Sequence, residues 1–254
     1  MAETILKNVK LYFGGYDLSG DMNSLTLGHT VEMLDKTVFG SSFRRRKAGL
    51  RDMEVSGGGF HNSTAGKNNL VLFPAVGSSA STAHTLTILP EGTGIGNEAY
   101  FGPDITGSYS PSGSIGGMMG FTFAGQGNGE FVMGKLLRAG WGSTLAAQAA
   151  IKKIGAGSTA RERTACAVHV FKSSGAAGAS VTLHVDRCTT TDFSSPATTA
   201  LKITLTTANV GGSGYYSTKL GSSAVFSYRI NTSQAGTSLK RLNFVASVGH
   251  TKKL

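Results

Sequence analysis

Residues 224–230 read AVFSYRI and residues 242–248 read LNFVASV, and in both the apolar side chains fall on every second position. Ala224, Phe226, Tyr228 and Ile230 form one set; Leu242, Phe244, Ala246 and Val248 form the other. Such alternation is the mark of an extended strand with one buried face, because successive side chains point to opposite sides of the pleat. It recurs in residues 201–206, LKITLT, while two further apolar runs, CAVHVF at 166–171 and VTLHVDRC at 181–188, flank the turn-like KSSGAAGAS. Short strands divided by Gly/Ser turns, with no helical period between them, predict a C-terminal β-sandwich of jelly-roll or immunoglobulin-like type.

The first half alternates less cleanly, but ILKNVKLYF, NSLTLGHTVEM, HTLTIL, IGGMMGFTFAG and GEFVMGKLL all read as strands. Between them, SSFRRRKAGL at 41–50 and GGGFHNSTAGKNN at 57–69 read as long mobile loops that would order against a neighbour. A short helix is expected only within TLAAQAAIKKI, residues 144–154. The expected organisation is therefore an all-β chain with a first domain over 1–143, a linker over 144–158 and a basic second domain over 159–254.

Composition limits what such a chain can do. Of 254 residues, 36 are Gly and only 15% are charged, which disfavours long solvated helices, and 40% are hydrophobic, too many for a disordered polar tract. No apolar run approaches the ~20 residues that span a bilayer. Met1-Ala2-Glu3 opens without a basic, then apolar, leader, and the expectation is a soluble, unexported chain without a membrane partner. The formal net charge is +10, divided unevenly. Residues 1–127 carry nine Lys/Arg against ten Asp/Glu, whereas 128–254 carry fifteen against four, giving −1 and +11. The basic half would be drawn to a polyanion or an acidic surface, with at most non-specific contact to DNA.

Catalytic patterns are missing. The sequence has no G-x-S-x-G, H-E-x-x-H or C-x-x-C, and the Gly-rich stretch before Lys67 lacks the spacing of a phosphate loop. Pairing Val170 with Val181 would set His169, His184 and Asp186 on one face of a hairpin, a set able to hold a metal. Nothing else in the sequence points there, and solvated strand positions are the simpler reading. The same pairing turns Cys166 inward and Cys188 outward, so no bridge forms between them. No catalytic, cofactor or metal residue is assigned. The residues expected to matter are contact residues: Arg44, Arg45, Arg46 and Lys47 as a dense positive run, with Phe39, Phe43 and Phe60 as apolar anchors for a neighbouring subunit.

One region is more specific than composition. The run VKLYFGGYDLSGDMNSLTL, then LDKTVFG at 34–40, then KAGLRDMEVSGGGF at 47–60, resembles the opening of the tail-tube-like major tail proteins of long-tailed bacteriophages. LTILPEGTGIGNEAYFGPDI and IGGMMGFTFAGQGNGEFVMGKLL continue the likeness to Leu137, and the second half resembles the extra β-sandwich such proteins append. The resemblance implies a tail-tube-like sandwich or barrel in the first domain and a structural virion protein, not an enzyme, that is assembled in the bacterial host cytoplasm. It implies stacked rings of six-fold or pseudo-six-fold symmetry that form a DNA conduit with other phage structural proteins. The +11 half departs from the pattern, because strong positive charge in a conduit would hold the polyanion. A head decoration or cement protein on the capsid surface is the alternative.

Overall fold

The computed structural model describes residues 8–78, 84–143, 151–154, 162–175, 180–188, 198–206, 213–220, 226–235 and 239–252. Its elements run β1 (Lys10–Phe13), β2 (Tyr16–Asp17), a 3₁₀ turn (Ser19–Asp21), β3 (Met22–Asp35), β4 (Arg46–Phe60), α1 (Asn68–Ala75), β5 (His84–Leu89), β6 (Glu98–Ser112), β7 (Gly120–Gly127) and β8 (Val132–Ser143). They continue β9 (Ile151–Ile154), β10 (Glu162–Gly175), β11 (Ser180–Cys188), β12 (Thr198–Thr206), β13 (Ser213–Leu220), β14 (Phe226–Ala235) and β15 (Leu239–Lys252). The all-β expectation holds. Among the described residues, no helix is long and apolar enough to cross a membrane.

Eleven strands form one sheet, ordered β13-β10-β15-β8-β6-β5-β1-β2, with a branch from β6 through β7 and β4 to β3; four more form a second sheet, β12-β11-β14-β9. Every pairing is antiparallel. The branch exists because β6 is long: Glu98–Phe101 pairs with β8, whereas Asp104–Ser112 pairs with β7. Strands β10, β13 and β15 of the basic half are hydrogen-bonded through β8 into the same sheet as the first half. The turn from β1 to β2 is set locally, since Gly14 and Gly15 both have positive φ (56° and 90°) and make the two-residue hairpin turn that matches strand twist.

Two apolar clusters can be traced among the described residues. Leu11, Phe13, Leu18, Val55, Leu72 and Phe121 belong to one, and Tyr12, Leu89, Phe101, Leu136, Ala167 and Val245 to the other. Neighbouring residues of β1 therefore enter different cores, so this strand is covered on both faces. Residues 164–170 of β10 and 244–249 of β15 are buried at every position, which likewise identifies central strands with two covered faces.

Three sequence expectations are corrected. The segments 166–171 and 181–188 do not pair with each other: β10 lies between β13 and β15, and β11 lies between β12 and β14 in the other sheet. β10 runs on to Gly175 and β11 begins at Ser180, so much of the stretch expected to be a turn is itself strand. The helix expected within 144–154 is contradicted at Ile151–Ile154, which is β9 and pairs with β14; residues 144–150 lie outside the described ones. The loops expected at 41–50 and 57–69 are in part regular structure, because β4 runs through Arg46–Phe60 and α1 begins at Asn68, while 41–45 and 61–67 are loop as expected. Cys166 is buried, as expected, but through coverage of both faces of β10 rather than through hairpin parity, and its thiol is pushed up to about 12 by desolvation. The Cys188 side chain lies outside the described residues.

Candidate functional site

Strands β3 and β4 pair from Met22↔Gly59 at the base to Asp35↔Arg46 at the far end. Only the base is built into the sheet. There β4 also pairs with β7 over Glu54–Phe60, and Val55 is buried while Leu25 and Leu27 pack on the same core. Beyond Glu54 the two strands continue as a two-stranded ribbon whose residues are exposed almost throughout, including Val31, Met33, Leu34 and Leu50. A lone ribbon is marginally stable in water, and apolar side chains along it gain only when something covers them.

The tip is ordered by its own polar groups. The Asp35 carboxylate accepts from the Thr37 backbone N–H at 2.8 Å and from its hydroxyl, and these bonds hold the carboxyl below its ordinary range. Thr37 Oγ1 in turn accepts from the Arg45 N–H at 3.1 Å, and the Lys36 N–H donates to the Arg45 carbonyl at 2.7 Å. The bonds fasten both sides of the tip and leave its larger side chains outside. Phe39 and Phe43 have relative exposures of 108% and 84%.

Six of the seven contact residues read from the sequence meet here. Phe39, Phe43, Arg44 and Arg45 lie in the tip, while Arg46 and Lys47 open β4; all six are exposed. Phe60 sits at the opposite end of the fifteen-residue β4, roughly 45 Å away along the strand. Its surroundings are different. The Phe60 carbonyl accepts from the side chain of the buried Asn68 at 2.9 Å, and Phe60 pairs with Gly120. Exposed Leu70 and Phe73 on α1, and Ile115, Met118 and Met119 before β7, add to the apolar surface at that end. The sequence expectation leaves residues 70–75 unassigned and places Ile115, Met118 and Met119 in a strand that begins only at Gly120. The signal was NNLVLFPA, an apolar run closed by Pro.

Among the described residues, the buried titratable groups do not form a reactive site. His169 is fully buried, accepts the Gly15 N–H on Nδ1 at 3.2 Å and shares a 2.8 Å hydrogen bond between Nε2 and Thr87 Oγ1. Desolvation pushes it down to about 3, so it is a neutral crosslink between β10, β5 and the β1–β2 turn. The expectation that His169 is a solvated strand position sharing a hairpin face with His184 and Asp186 is contradicted, since His169 is buried and those two positions are on β11 in the other sheet. No group of three metal-ligating side chains occurs among the described residues. Asp104 is also fully buried, with Oδ1 lacking a hydrogen-bond partner and a long 3.5 Å contact from Thr106 to Oδ2.

Desolvation raises Asp104 to about 7, against about 4 when unfolded. The folded state thus holds a proton that the unfolded state has released, and the stability this gives, complete below about pH 4, is lost as pH rises to about 7. Replacing Asp104 by Asn removes that loss. The D104N protein should gain thermal stability relative to wild type as pH is raised through this window, and parallel melting curves would refute the assignment. His169 acts oppositely over about pH 3 to 6.5 and is common to both proteins, so the comparison cancels it.

No protein family and no curated protein sequence matches the chain. Solved structures give partial likenesses. A chain in the virion of the native gene transfer agent particle aligns with TM-score 0.40 and 15% identity, covering 52% of this chain and 98% of that one. A chain in the tail of the empty gene transfer agent particle, of C6 symmetry, aligns with TM-score 0.37 and 19% identity over 49% and 92% of the two chains. The SPP1 Dit protein, described as a paradigm of the hub adsorption apparatus in phages infecting Gram-positive bacteria, aligns with TM-score 0.36 and 12% identity over 96% and 100%. At these scores the function is left to the chain's own residues.

Proposed function

We propose that this chain is a structural subunit that assembles with copies of itself, and that it is the tube subunit of a phage-type tail. The observation that carries the reading is the ordered ribbon of β3 and β4, whose tip presents two uncovered phenyl rings and four cations. An isolated protein gains nothing from holding such groups in water; a subunit whose neighbour covers them does. The stretches whose sequence resembles tail-tube proteins, 34–40 and 47–60, are the far end of β3 with the tip, and β4. The +11 half then faces outward, away from the DNA path, where it adds solubility and at most non-specific attraction to nucleic acid.

Negative-stain microscopy of the purified protein tests the reading. Rings or tubes, with six-fold or pseudo-six-fold end views, are expected. Monomers or trimers that bind only to capsids would overturn it in favour of the cement role, which the basic half would then serve by attraction to an acidic shell.

A further inference from the structure

We propose that the cavity at the base of the ribbon receives the ribbon tip of a second copy of this chain, an inference that rests on the self-assembly reading above. The cavity holds about 360 Å³ and is walled by Val9, Leu25, Leu27, Ile88, Pro90 and Tyr100. Its volume lies within the ~300–1,000 Å³ of preformed binding pockets, and its walls are apolar enough to accept a phenyl ring. Carboxylates stand beside it. Glu91 is exposed and follows Pro90, and Glu98 accepts from the Tyr100 hydroxyl at 3.4 Å.

The tip has the complementary make-up, with Phe39 and Phe43 uncovered beside Arg44, Arg45, Arg46 and Lys47. A ring entering the cavity would leave water while the adjoining guanidiniums reach the Glu91 and Glu98 carboxylates. Burial then supplies the affinity, and the charges orient the approach. The same chain cannot supply the ring. Leu27 in the cavity wall and Asp35 at the tip are eight residues apart on one strand paired along its length to β4, which carries the tip roughly 27 Å beyond the cavity. Each copy therefore offers one tip and one cavity. A contact between unlike patches repeats from copy to copy and closes as a ring or runs on as a filament.

Two complementary variants test this by sedimentation over a concentration series. Phe39→Ser with Phe43→Ser removes the tip and keeps the cavity; Ser24→Trp, at an exposed residue lining the cavity, fills it and keeps the tip. Neither should self-associate, and an equimolar mixture should form a heterodimer and nothing larger. A mixture that stays monomeric overturns the proposal. A second pair guards against misfolding of the Trp variant: Glu91→Lys with Glu98→Lys should weaken self-association at least about tenfold at low salt, and mixing it with Arg44→Glu, Arg45→Glu should restore pairing. If both cavity-side variants assemble like wild type, the docking site is wrong while self-assembly stands. Dimers that survive Ser24→Trp but not loss of the tip would indicate tip-to-tip contact and also overturn it. A wild-type protein that is monomeric at every concentration overturns the assembly reading itself.

Discussion

A Gly59→Ala protein is expected to lose about 3 kcal/mol of folding stability or more, at the upper end of overpacking substitutions. A Cβ at Gly59 would lie 1.9 Å from the Asp21 carbonyl oxygen and 2.8 Å from Met22 Cα. Both are backbone atoms, so no side-chain rotation relieves the clash. Nor can the 3₁₀ turn retreat easily, because Leu18 is fully buried and the Asp21 carboxylate is held by Asn62 Nδ2 at 3.0 Å. Gly134 should behave alike, its Cβ falling 2.1 Å from the Val248 carbonyl oxygen where β8 meets β15. Gly20→Ala is the control, with nothing within 4 Å of the added carbon, and its effect should be within about 0.5 kcal/mol. Chemical denaturation of the three variants decides the matter. Wild-type stability in Gly59→Ala would mean that β3 and β4 do not approach each other as described.

The second large effect is on assembly alone. Removing Phe39 and Phe43 together, as Ser, takes away side chains that the isolated subunit leaves in water, so its melting temperature should hardly move. In an assembly that buries both rings, each contributes about 2 kcal/mol, and their joint loss weakens every contact by roughly a thousandfold. Rings or tubes should disappear from micrographs at concentrations where wild type forms them. Unchanged assembly would remove the tip from the interface, and a matching fall in melting temperature would show that the rings serve the fold instead.

The tip is legible in the sequence and its surroundings are not, for a physical reason. FRRRK between two glycines announces exposed charge in any fold, and Phe39 and Phe43 are conspicuous beside it. That they stand at the end of a paired ribbon depended on β4, whose pattern is obscured by Gly49, Gly57, Gly58 and Gly59. Such glycines read as loop by propensity, yet Gly57, Gly58 and Gly59 are in a strand because the backbones of β3 and β7 approach too closely for a side chain. The cavity was invisible for another reason: Leu27, Ile88 and Tyr100 come from three strands and Val9 directly precedes a fourth, and only the pairing order brings them together.

By itself the sequence determined that the chain is all-β, because alternation and turn composition are local properties written in consecutive residues. Parity along the sequence did not decide the burial of Cys166, because both faces of β10 are covered over residues 164–170. Tertiary structure alone decided which strands are neighbours. CAVHVF and VTLHVDRC alternate equally well in one hairpin or in two sheets, and in the fold β10 pairs with β13 and β15 while β11 pairs with β12 and β14. It decided, too, that His169 is a buried crosslink. A histidine among valines has no intrinsic side to prefer, and the Gly15 N–H and Thr87 hydroxyl that hold it come from 154 and 82 residues away. Contacts at such separations leave no periodic trace along the chain, which is why no reading of neighbouring residues could have found them.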